Sequence, residues 1–261
     1  MQFEGKHFIV TGGASGIGLG VGSQLLAQGA MVTLIDISEQ NLDKARARLG
    51  GGCSERLLCC VADCADSGQV VKAAGQSVAR FGRLDGLVAN AGIRMKSVPL
   101  PDLEEDVWDE LIRVNLRSVF VTCKAAAPHL KAAGGGSIVT VASLSGHLAR
   151  LEQTAYCASK AGAIQFSRAL AVEMAADKVR VNSVCPGTVR TPMFEKALAQ
   201  DGAKIEHDRI YGSPSRFRSG IPLRQIAEVE DVAGLIGYLL SDVSRHVTGQ
   251  VIFVDGGESL L

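Results

Sequence analysis

Short apolar runs alternate along the chain with stretches of a length and composition that suit helices. Seven short runs have the composition of β-strands: "HFIVT", "MVTLID", "RLLCCVA", "LDGLVAN", "GSIVTVAS", "VRVNSVCPG" and "QVIFVDGG". Because most of them are continuously apolar, we expect helices on both sides of the strands. Strands that alternate with helices pair in parallel through right-handed crossovers. The pattern predicts one α/β domain over residues 1–261, a doubly wound seven-stranded parallel sheet with helices on both faces.

One segment interrupts this alternation. Residues 188–225, called the lid segment below, contain scattered charges, three prolines and no clear strand. Long irregular insertions in a compact domain are usually functional or mobile, so we predict a lid over a substrate site. Its basic residues fit either a polar or anionic substrate or a solvated loop: Arg190, Lys196, Lys204, His207, Arg209, Arg216 and Arg218. We expect the tail "GGESLL" to pack near the lid segment or a neighbouring subunit.

Charge and composition narrow the classes of partner. Lys+Arg and Asp+Glu both number 27, which gives a net charge of zero and favours neither nucleic acid nor a membrane surface. The N-terminus lacks a basic region followed by a long apolar run, and no run is long enough to span a bilayer. We therefore expect a cytoplasmic protein. The seven cysteines lack the spacing of a zinc or redox motif, which predicts buried free thiols and no metal site.

A glycine-rich stretch, "TGGASGIG" at residues 11–18, follows the first predicted strand. Glycine lets the backbone turn tightly and lets a pyrophosphate approach, while a helix that starts there offers free N–H groups. The spacing differs from the common G-x-G-x-x-G fingerprint, and a purely structural strand–helix turn also favours glycine. Its position directly after the first strand of an alternating chain favours a dinucleotide site.

The second predicted strand ends in Asp36, about 20 residues after the glycine motif, where an acidic residue binds the adenosine ribose hydroxyls. A carboxylate there repels a 2′-phosphate. Arg and Lys are absent from residues 11–18, and Ile37 and Ser38 follow Asp36. These features predict NAD rather than NADP. The alternative is that Asp36 caps the next helix, a role that Ser38 also suits.

Tyr156 and Lys160 stand one helical turn apart in "YCASK". A free phenol has a pKa of about 10, too high for a base near neutrality. An opposite charge within reach lowers a pKa by roughly 1–3 units. The pair predicts a general base tuned by Lys160, although chance pairing on a surface helix gives the same spacing.

Seven motifs now stand in order: TGGASGIG, Asp36, "NAG", "RVNL", "VAS", "YCASK" and "CPG". Together they resemble the short-chain dehydrogenase/reductase family over essentially the whole chain. The resemblance implies a single-domain Rossmann fold with its active site at the carboxyl ends of the strands. It implies a catalytic set in which Tyr156 exchanges a proton with the substrate hydroxyl and Ser143 hydrogen-bonds the substrate oxygen. Lys160 would hold the nicotinamide ribose, and the main-chain carbonyl of Asn115 would hold a water in a proton relay.

The same resemblance implies the residues that contact the cofactor. Asp63 would meet the adenine, with a helix cap as the alternative, and "NAG" is either part of the site or an ordinary strand-end turn. The expected contacts are Gly12, Ser15, Gly16, Ile17, Gly18, Asp36, Ile37, Asp63, Cys64, Asn90, Gly92, Tyr156, Lys160, Gly187, Val189 and Thr191. The expected substrate contacts are Ser143, Ser145, Arg150 and Tyr156, with Arg94 and His147 nearby.

The activity implied is hydride transfer between NAD and a small secondary alcohol or ketone, such as a polyol, sugar, hydroxy acid or cyclic alcohol. A 3-oxoacyl-carrier-protein reductase is an alternative, and Asp36 disfavours it because such enzymes are usually NADP-dependent. A catalytically silent NAD-binding sensor or scaffold is a second alternative, disfavoured because Ser143, Tyr156 and Lys160 are all present. By resemblance we also expect a homotetramer.

Overall fold

The computed structural model describes residues 2–201 and 204–261. Within them, seven strands form one parallel sheet in the order β3-β2-β1-β4-β5-β6-β7. Each of the seven predicted runs contains one strand, so the predicted fold class is confirmed. The strands are β1 (His7–Thr11), β2 (Met31–Asp36), β3 (Leu57–Val61), β4 (Gly86–Ala89), β5 (Gly136–Val141), β6 (Val179–Pro186) and β7 (Val251–Val254).

Helices cover both faces of the sheet. One buried cluster joins α1, α2 and α9 to one face, and another joins α3, α5 and α6 to the other. Neighbouring side chains of β1 point to opposite clusters, Ile9 to the second and Val10 to the first. The helices are α1 (Gly16–Ala27), α2 (Glu39–Leu49), α3 (Ser67–Phe81), α4 (Glu105–Ile112), α5 (Ser118–Ala132), α6 (Thr154–Glu173), α7 (Pro192–Asp201), α8 (Lys204–Tyr211) and α9 (Val229–Leu240).

The sheet order reverses at β1, which pairs with β2 on one side and β4 on the other. In such sheets a ligand crevice opens at the carboxyl ends beside the reversal. The Thr11 hydroxyl accepts hydrogen bonds from the N–H groups of Asn90 and Ala91, at 3.0 and 3.2 Å. The Asn90 amide in turn donates to the carbonyls of Thr11 and Gly12 at 3.0 and 3.1 Å. These bonds fix the glycine-rich turn against the end of β4.

The lid segment is more regular than predicted, because α7 and α8 occupy its first half. Its apolar residues form a small separate cluster around Phe194, Ile221 and Ile226. The C-terminal tail packs on this segment, since a Cβ added to Gly256 would lie 2.6 Å from the Ile221 side chain. The expectation that the tail packs near the lid segment is confirmed, and the expectation of an irregular segment is wrong for residues 192–201 and 204–211.

A π-helical turn, Arg113–Arg117, joins α4 to α5, and the sequence did not predict it. Its wider hydrogen bond runs from the N–H of Ser118 to the carbonyl of Arg113, five residues back. Such turns occur often at functional sites. Asn115 stands at its centre and is fully buried.

All seven cysteines are free thiols, four of them buried and three partly buried, as the sequence predicted for unpaired cysteines. Within residues 2–201 and 204–261, no group of three or more His, Cys, Asp or Glu side chains is placed to hold a metal ion. Across the same ranges, none of the helices has the length and hydropathy that crossing a bilayer would require.

Candidate active site

The glycine-rich turn is shaped by contacts that only glycine allows. Gly12 and Gly16 have φ of 60° and 51°, in the left-handed region that disfavours other residues. A Cβ on Gly18 would lie 2.2 Å from the carbonyl oxygen of Gly12, so α1 packs directly on the turn. The Ser15 hydroxyl makes no capping bond, which leaves the first N–H groups of α1 available to a phosphate. The turn therefore has the form of an oxyanion-binding helix start.

The Asp36 carboxylate lies beside this turn. It accepts hydrogen bonds from the N–H groups of Ala14 at 3.1 Å and Ser38 at 3.0 Å. The hydroxyl of Ser38 caps α2 by accepting from the N–H of Asn41 at 3.2 Å. The helix-cap alternative for Asp36 is therefore wrong, and the carboxylate is fixed where a ribose contact is expected. Ile37 next to it is exposed.

Asp63 is held by partners within the chain. Its carboxylate is 2.7 Å from Nη1 of Arg113 and accepts from the N–H of Ala65 at 2.9 Å. Partial burial on its own would raise the pKa of Asp63. The two hydrogen bonds and the charge of Arg113 outweigh burial, so this pKa lies below its usual value. The cap of α3 is Asp66, which accepts from the N–H of Gln69. The helix-cap alternative for Asp63 is thus wrong, and its adenine contact stays a prediction.

Cys64 is buried within the core cluster that α3 and α5 cover. Burial raises the pKa of its thiol to about 12, although a hydrogen bond with the backbone of Gly12 opposes the change. The thiol is therefore unreactive at neutral pH. A cofactor contact of Cys64 is a prediction for its main chain, since its side chain lies under the turn.

Three of the expected catalytic residues, Ser143, Tyr156 and Lys160, line one small pocket of about 190 Å³ at the carboxyl ends of β4, β5 and β6. The fourth, Asn115, does not line it. Arg94 and Arg209 line it as well. The fold brings together residues from six separate stretches of sequence. The predicted site residues that line it are Ile17, Asn90, Gly92, Ser143, Ser145, Tyr156, Lys160, Gly187, Val189 and Thr191.

Tyr156 and Ser143 line this pocket together. Burial raises the pKa of Tyr156, while the Ser143 hydroxyl and the charges of Arg94 and Arg209 oppose the rise. The expectation that the protein's own cation lowers this pKa is therefore wrong in direction, because the desolvation of a phenolate outweighs the nearby charges. The two arginines are the cations that act on Tyr156, and sequence spacing alone pointed to Lys160.

Lys160 is almost fully buried, and its Nζ donates to the carbonyl of Val141 at 3.1 Å. Burial lowers the pKa of this ammonium group to about 8. A Cβ on Gly92 would lie 3.2 Å from Nζ and 3.1 Å from Oδ1 of Asn115, so Gly92 makes room for both groups. Lys160 is thus enclosed by the ends of β4 and β5.

The Asn115 side chain clamps the loop after β4. Its Oδ1 accepts from the N–H of Ile93 at 2.8 Å, and its Nδ2 donates to the carbonyl of Ile93 at 3.0 Å. This is a positioning role that the sequence did not indicate. The relay water expected on the main chain of Asn115 stays a prediction.

Arg150 differs from its expected role. Its Nη2 lies 2.6 Å from the Glu258 carboxylate, with the two side chains only 8% and 2% exposed. The residue borders the larger cleft of about 1260 Å³, but its guanidinium is bound by the C-terminal tail. His147 packs against the Phe253 ring, with centroids 4.9 Å apart, and lines neither this cleft nor the small pocket. As partners for a substrate, Arg94 and Arg209 are better placed.

Known proteins resemble this chain over nearly its full length. The family described as enoyl-(acyl carrier protein) reductase matches residues 12–259. A 3-oxoacyl-[acyl-carrier-protein] reductase of Thermotoga maritima is 38% identical over 98% of this chain and 99% of its own. The cis-4-hydroxycyclohexanecarboxylate dehydrogenase of Sinomonas cyclohexanicum is 36% identical, covering 98% and 97% of the two chains. The crystal structure of levodione reductase superposes with a TM-score of 0.90 at 31% identity, covering 99% of both chains. The chain therefore belongs to the short-chain dehydrogenase/reductase family of oxidoreductases.

Proposed function

We propose that this chain is an NAD-dependent oxidoreductase that interconverts a small secondary alcohol and its ketone. The observation that supports it most is the convergence of Ser143, Tyr156 and Lys160 on one pocket beside the glycine-rich turn. A hydroxyl that donates or accepts a proton, a hydroxyl that positions it and a buried ammonium group are the parts that acid–base catalysis at an alcohol needs.

Members of this family use nicotinamide cofactors, NAD or NADP. When bound, the nicotinamide supplies the hydride acceptor or donor and, in its oxidised form, a positive charge. The residues present fit such a dinucleotide, because the start of α1 follows the glycine-rich turn and no side chain caps its first N–H groups. The first N–H groups of α1 would hold the pyrophosphate, and Asp36 would hold the adenosine ribose. NAD is favoured because the Asp36 carboxylate would repel a 2′-phosphate.

The chain's own residues have separate tasks in the proposed reaction. Tyr156 takes the proton of the substrate hydroxyl in oxidation and returns it in reduction. Ser143, which lines the pocket beside Tyr156, hydrogen-bonds the substrate oxygen. Lys160 adds positive charge below the pocket and binds the nicotinamide ribose. Burial is the largest influence on the pKa of Tyr156 and raises it, so nearby positive charges, those of Arg94 and Arg209 among them, favour Tyr156 as a base.

A specific observation keeps a second function in view. The Thermotoga relative, 38% identical over the whole chain, is named as a 3-oxoacyl-carrier-protein reductase. The cis-4-hydroxycyclohexanecarboxylate dehydrogenase is similar to nearly the same degree, and its name describes a free cyclic alcohol as substrate. Asp36 supports the second of these, since its carboxylate favours NAD. By the same family resemblance we propose a homotetramer, which a monomeric mass in light scattering would exclude.

The test is the reduction of NAD and of NADP in parallel, with polyols, sugars, hydroxy acids, cyclic alcohols and simple alkanols as donors. The reverse assay offers NADH and a 3-oxoacyl thioester. We expect turnover with NAD and a free secondary alcohol. Turnover confined to the thioester would support the carrier-linked reductase. Tight NADH binding with no turnover on any compound would support a sensor or scaffold.

A further inference from the structure

Two arginines stand in the catalytic pocket without a partner of their own. Arg94 and Arg209 line it together with Ser143 and Tyr156, and both act electrostatically on the Tyr156 phenol. Both side chains are partly buried. Among the residues that the structure describes, neither forms a hydrogen bond or an ion pair. Each therefore holds unpaired donors next to the atoms where the reaction is proposed.

Three further arginines of the larger cleft, Arg150, Arg216 and Arg218, have only two carboxylate partners. Glu258 lies 2.6 Å from Arg150 and 3.8 Å from Arg218, so one buried carboxylate faces two guanidinium groups. Arg216 is paired with Glu152 at 3.1 Å. Of the described residues that line the larger cleft, Asp208 is the one acidic side chain. The larger cleft therefore keeps a net positive charge after these ion pairs are counted.

This concentration of charge is costly without a bound anion. Burial, followed by the like charge of Arg94, lowers the pKa of Arg209 to about 10. Burial and the charge of Arg209 lower the pKa of Arg218 to about 9. Both groups are still cations at neutral pH, yet each is desolvated and repelled by the others. Desolvated cations that repel one another in a cleft indicate a ligand site.

We infer that the substrate carries a carboxylate, which Arg209 and Arg94 bind while Tyr156 and Ser143 hydrogen-bond the hydroxyl group that is oxidised. This rests on the proposed function and names its substrate class, the hydroxy acids and their keto acids. A guanidinium presents paired N–H donors that match the two oxygens of a carboxylate. The pocket volume of about 190 Å³ suits a small acid.

The pyrophosphate of the cofactor is a second anion that basic residues in this cleft could bind, and a binding measurement separates it from a substrate carboxylate. Its expected place is the start of α1, whereas Arg94 and Arg209 line the pocket of Tyr156. If the two arginines served the cofactor, Arg209→Gln would weaken NADH binding. Under our inference the Kd of NADH changes by less than about threefold.

The kinetic test compares 4-hydroxycyclohexanecarboxylate and 3-hydroxybutyrate, each beside its uncharged carboxamide. We expect kcat/KM for an acid to exceed that for its amide by about a hundredfold, because an unmatched charged donor site rejects the neutral analogue. Arg209→Gln and Arg94→Gln should each reduce the ratio of kcat/KM between acid and amide by about 10- to 100-fold, chiefly through KM for the acid. Any effect of the lost cation on Tyr156 falls on both substrates and cancels in this ratio. Lys96→Gln, an exposed cation of the same larger cleft, is the matched control and should preserve the ratio.

A second arm does not depend on turnover. Calorimetry titrates cyclohexanecarboxylate and cyclohexanecarboxamide into the protein saturated with NADH, with the wild type, Arg209→Gln and Lys96→Gln compared. We expect the carboxylate alone to bind, and only where Arg209 is intact. Equal binding of both compounds, or carboxylate binding unaffected by Arg209→Gln, would overturn the inference. Carboxylate binding with no alcohol turnover would overturn the proposed function and leave the anion site standing.

Discussion

The two sides of the cleft are built in different ways. The cofactor side is made by main-chain geometry over a short stretch, in which Gly12, Gly16 and Gly18 shape a turn and Asp36 lies beside it. The substrate side is made by charged side chains from remote parts of the chain. Arg94 follows β4, Arg150 precedes α6, Arg209 lies on α8 and Glu258 belongs to the tail.

The difference shows which part of the molecule sets the reaction and which part sets the substrate. A turn that only glycine permits has few alternatives, so it serves one kind of ligand. On the substrate side, a single substitution of an arginine, or of the Glu258 carboxylate that Arg150 and Arg218 share, changes the charge of the cleft. We therefore expect substitutions on the cofactor side to affect binding of the dinucleotide, and those on the substrate side to affect which alcohol is accepted.

The largest effect is expected from a substitution of Glu258, whose carboxylate holds the arginines of the substrate side in place. Glu258→Gln removes the carboxylate that Arg150 and Arg218 share, leaving buried cations uncompensated. We expect the free energy of unfolding to fall by about 3 kcal/mol. Urea denaturation measures the loss. The control Asp43→Asn removes an exposed pair with Arg46 and should cost at most about 0.5 kcal/mol. Equal losses in the two variants would mean that the buried ion pairs of Glu258 contribute no more to the free energy of unfolding than the exposed pair of Asp43.

The next substitution breaks the cofactor side. In Gly18→Ala the new Cβ would meet the carbonyl oxygen of Gly12 at 2.2 Å, and backbone atoms cannot give way cheaply. We expect a loss of about 3 kcal/mol and severely weakened NAD binding. Gly75→Ala, an open position on α3, is the control and should stabilise by about 0.5–1 kcal/mol. A fully stable Gly18→Ala protein that binds NAD normally would contradict the described turn.

Sequence reasoning found the cofactor side because each of its features is local. A buried strand, a glycine turn and an acidic strand end stand within 36 residues, and their contacts follow from that order. It missed the Arg150–Glu258 pair because 108 positions separate the two residues and neither position has a local signature. It missed α7 and α8 because their few apolar residues face a small cluster rather than the main core. The π-helical turn at Asn115 has no periodic signal of its own.

The third prediction uses pH to test the enclosure of Lys160. Its pKa is about 8 in the folded chain against 10.5 as the ordinary value. Between these values the unfolded chain binds a proton that the folded chain has lost. The contribution of Lys160 to the free energy of unfolding therefore rises with pH, by at most about 1.4 kcal/mol per unit. Below about pH 8 both states are charged and this dependence disappears.

Lys160→Met lacks this titration. We expect the difference in unfolding free energy, wild type minus variant, to be flat from pH 6 to 7.5 and to rise by about 2 kcal/mol from pH 8 to 10. Guanidinium denaturation at each pH measures it. A difference that stays level through pH 10 would show that Lys160 is not desolvated in the folded protein.

The smallest effect sharpens the comparison by changing cofactor choice alone. Two like charges about 4 Å apart repel by roughly 4 kcal/mol at an effective dielectric constant of about 20. Asp36→Asn removes the charge and keeps an acceptor oxygen for one of the two N–H groups, those of Ala14 and Ser38, that now bind the two carboxylate oxygens. We expect kcat/KM for NADP to rise relative to NAD by at least about tenfold, with the preference between acid and amide substrates unchanged. An unaltered cofactor ratio would remove Asp36 as the selector.

The most direct test of the account is Tyr156→Phe, measured for both turnover and NADH affinity. The substitution deletes only the hydroxyl that exchanges the proton, while the turn and Asp36 stay in place. We predict that kcat falls by at least about a thousandfold and that the Kd of NADH changes by less than about threefold. Tyr211→Phe, an exposed tyrosine of α8, should leave both unchanged. A Tyr156→Phe enzyme that retains most of its turnover would contradict the assignment of the general base.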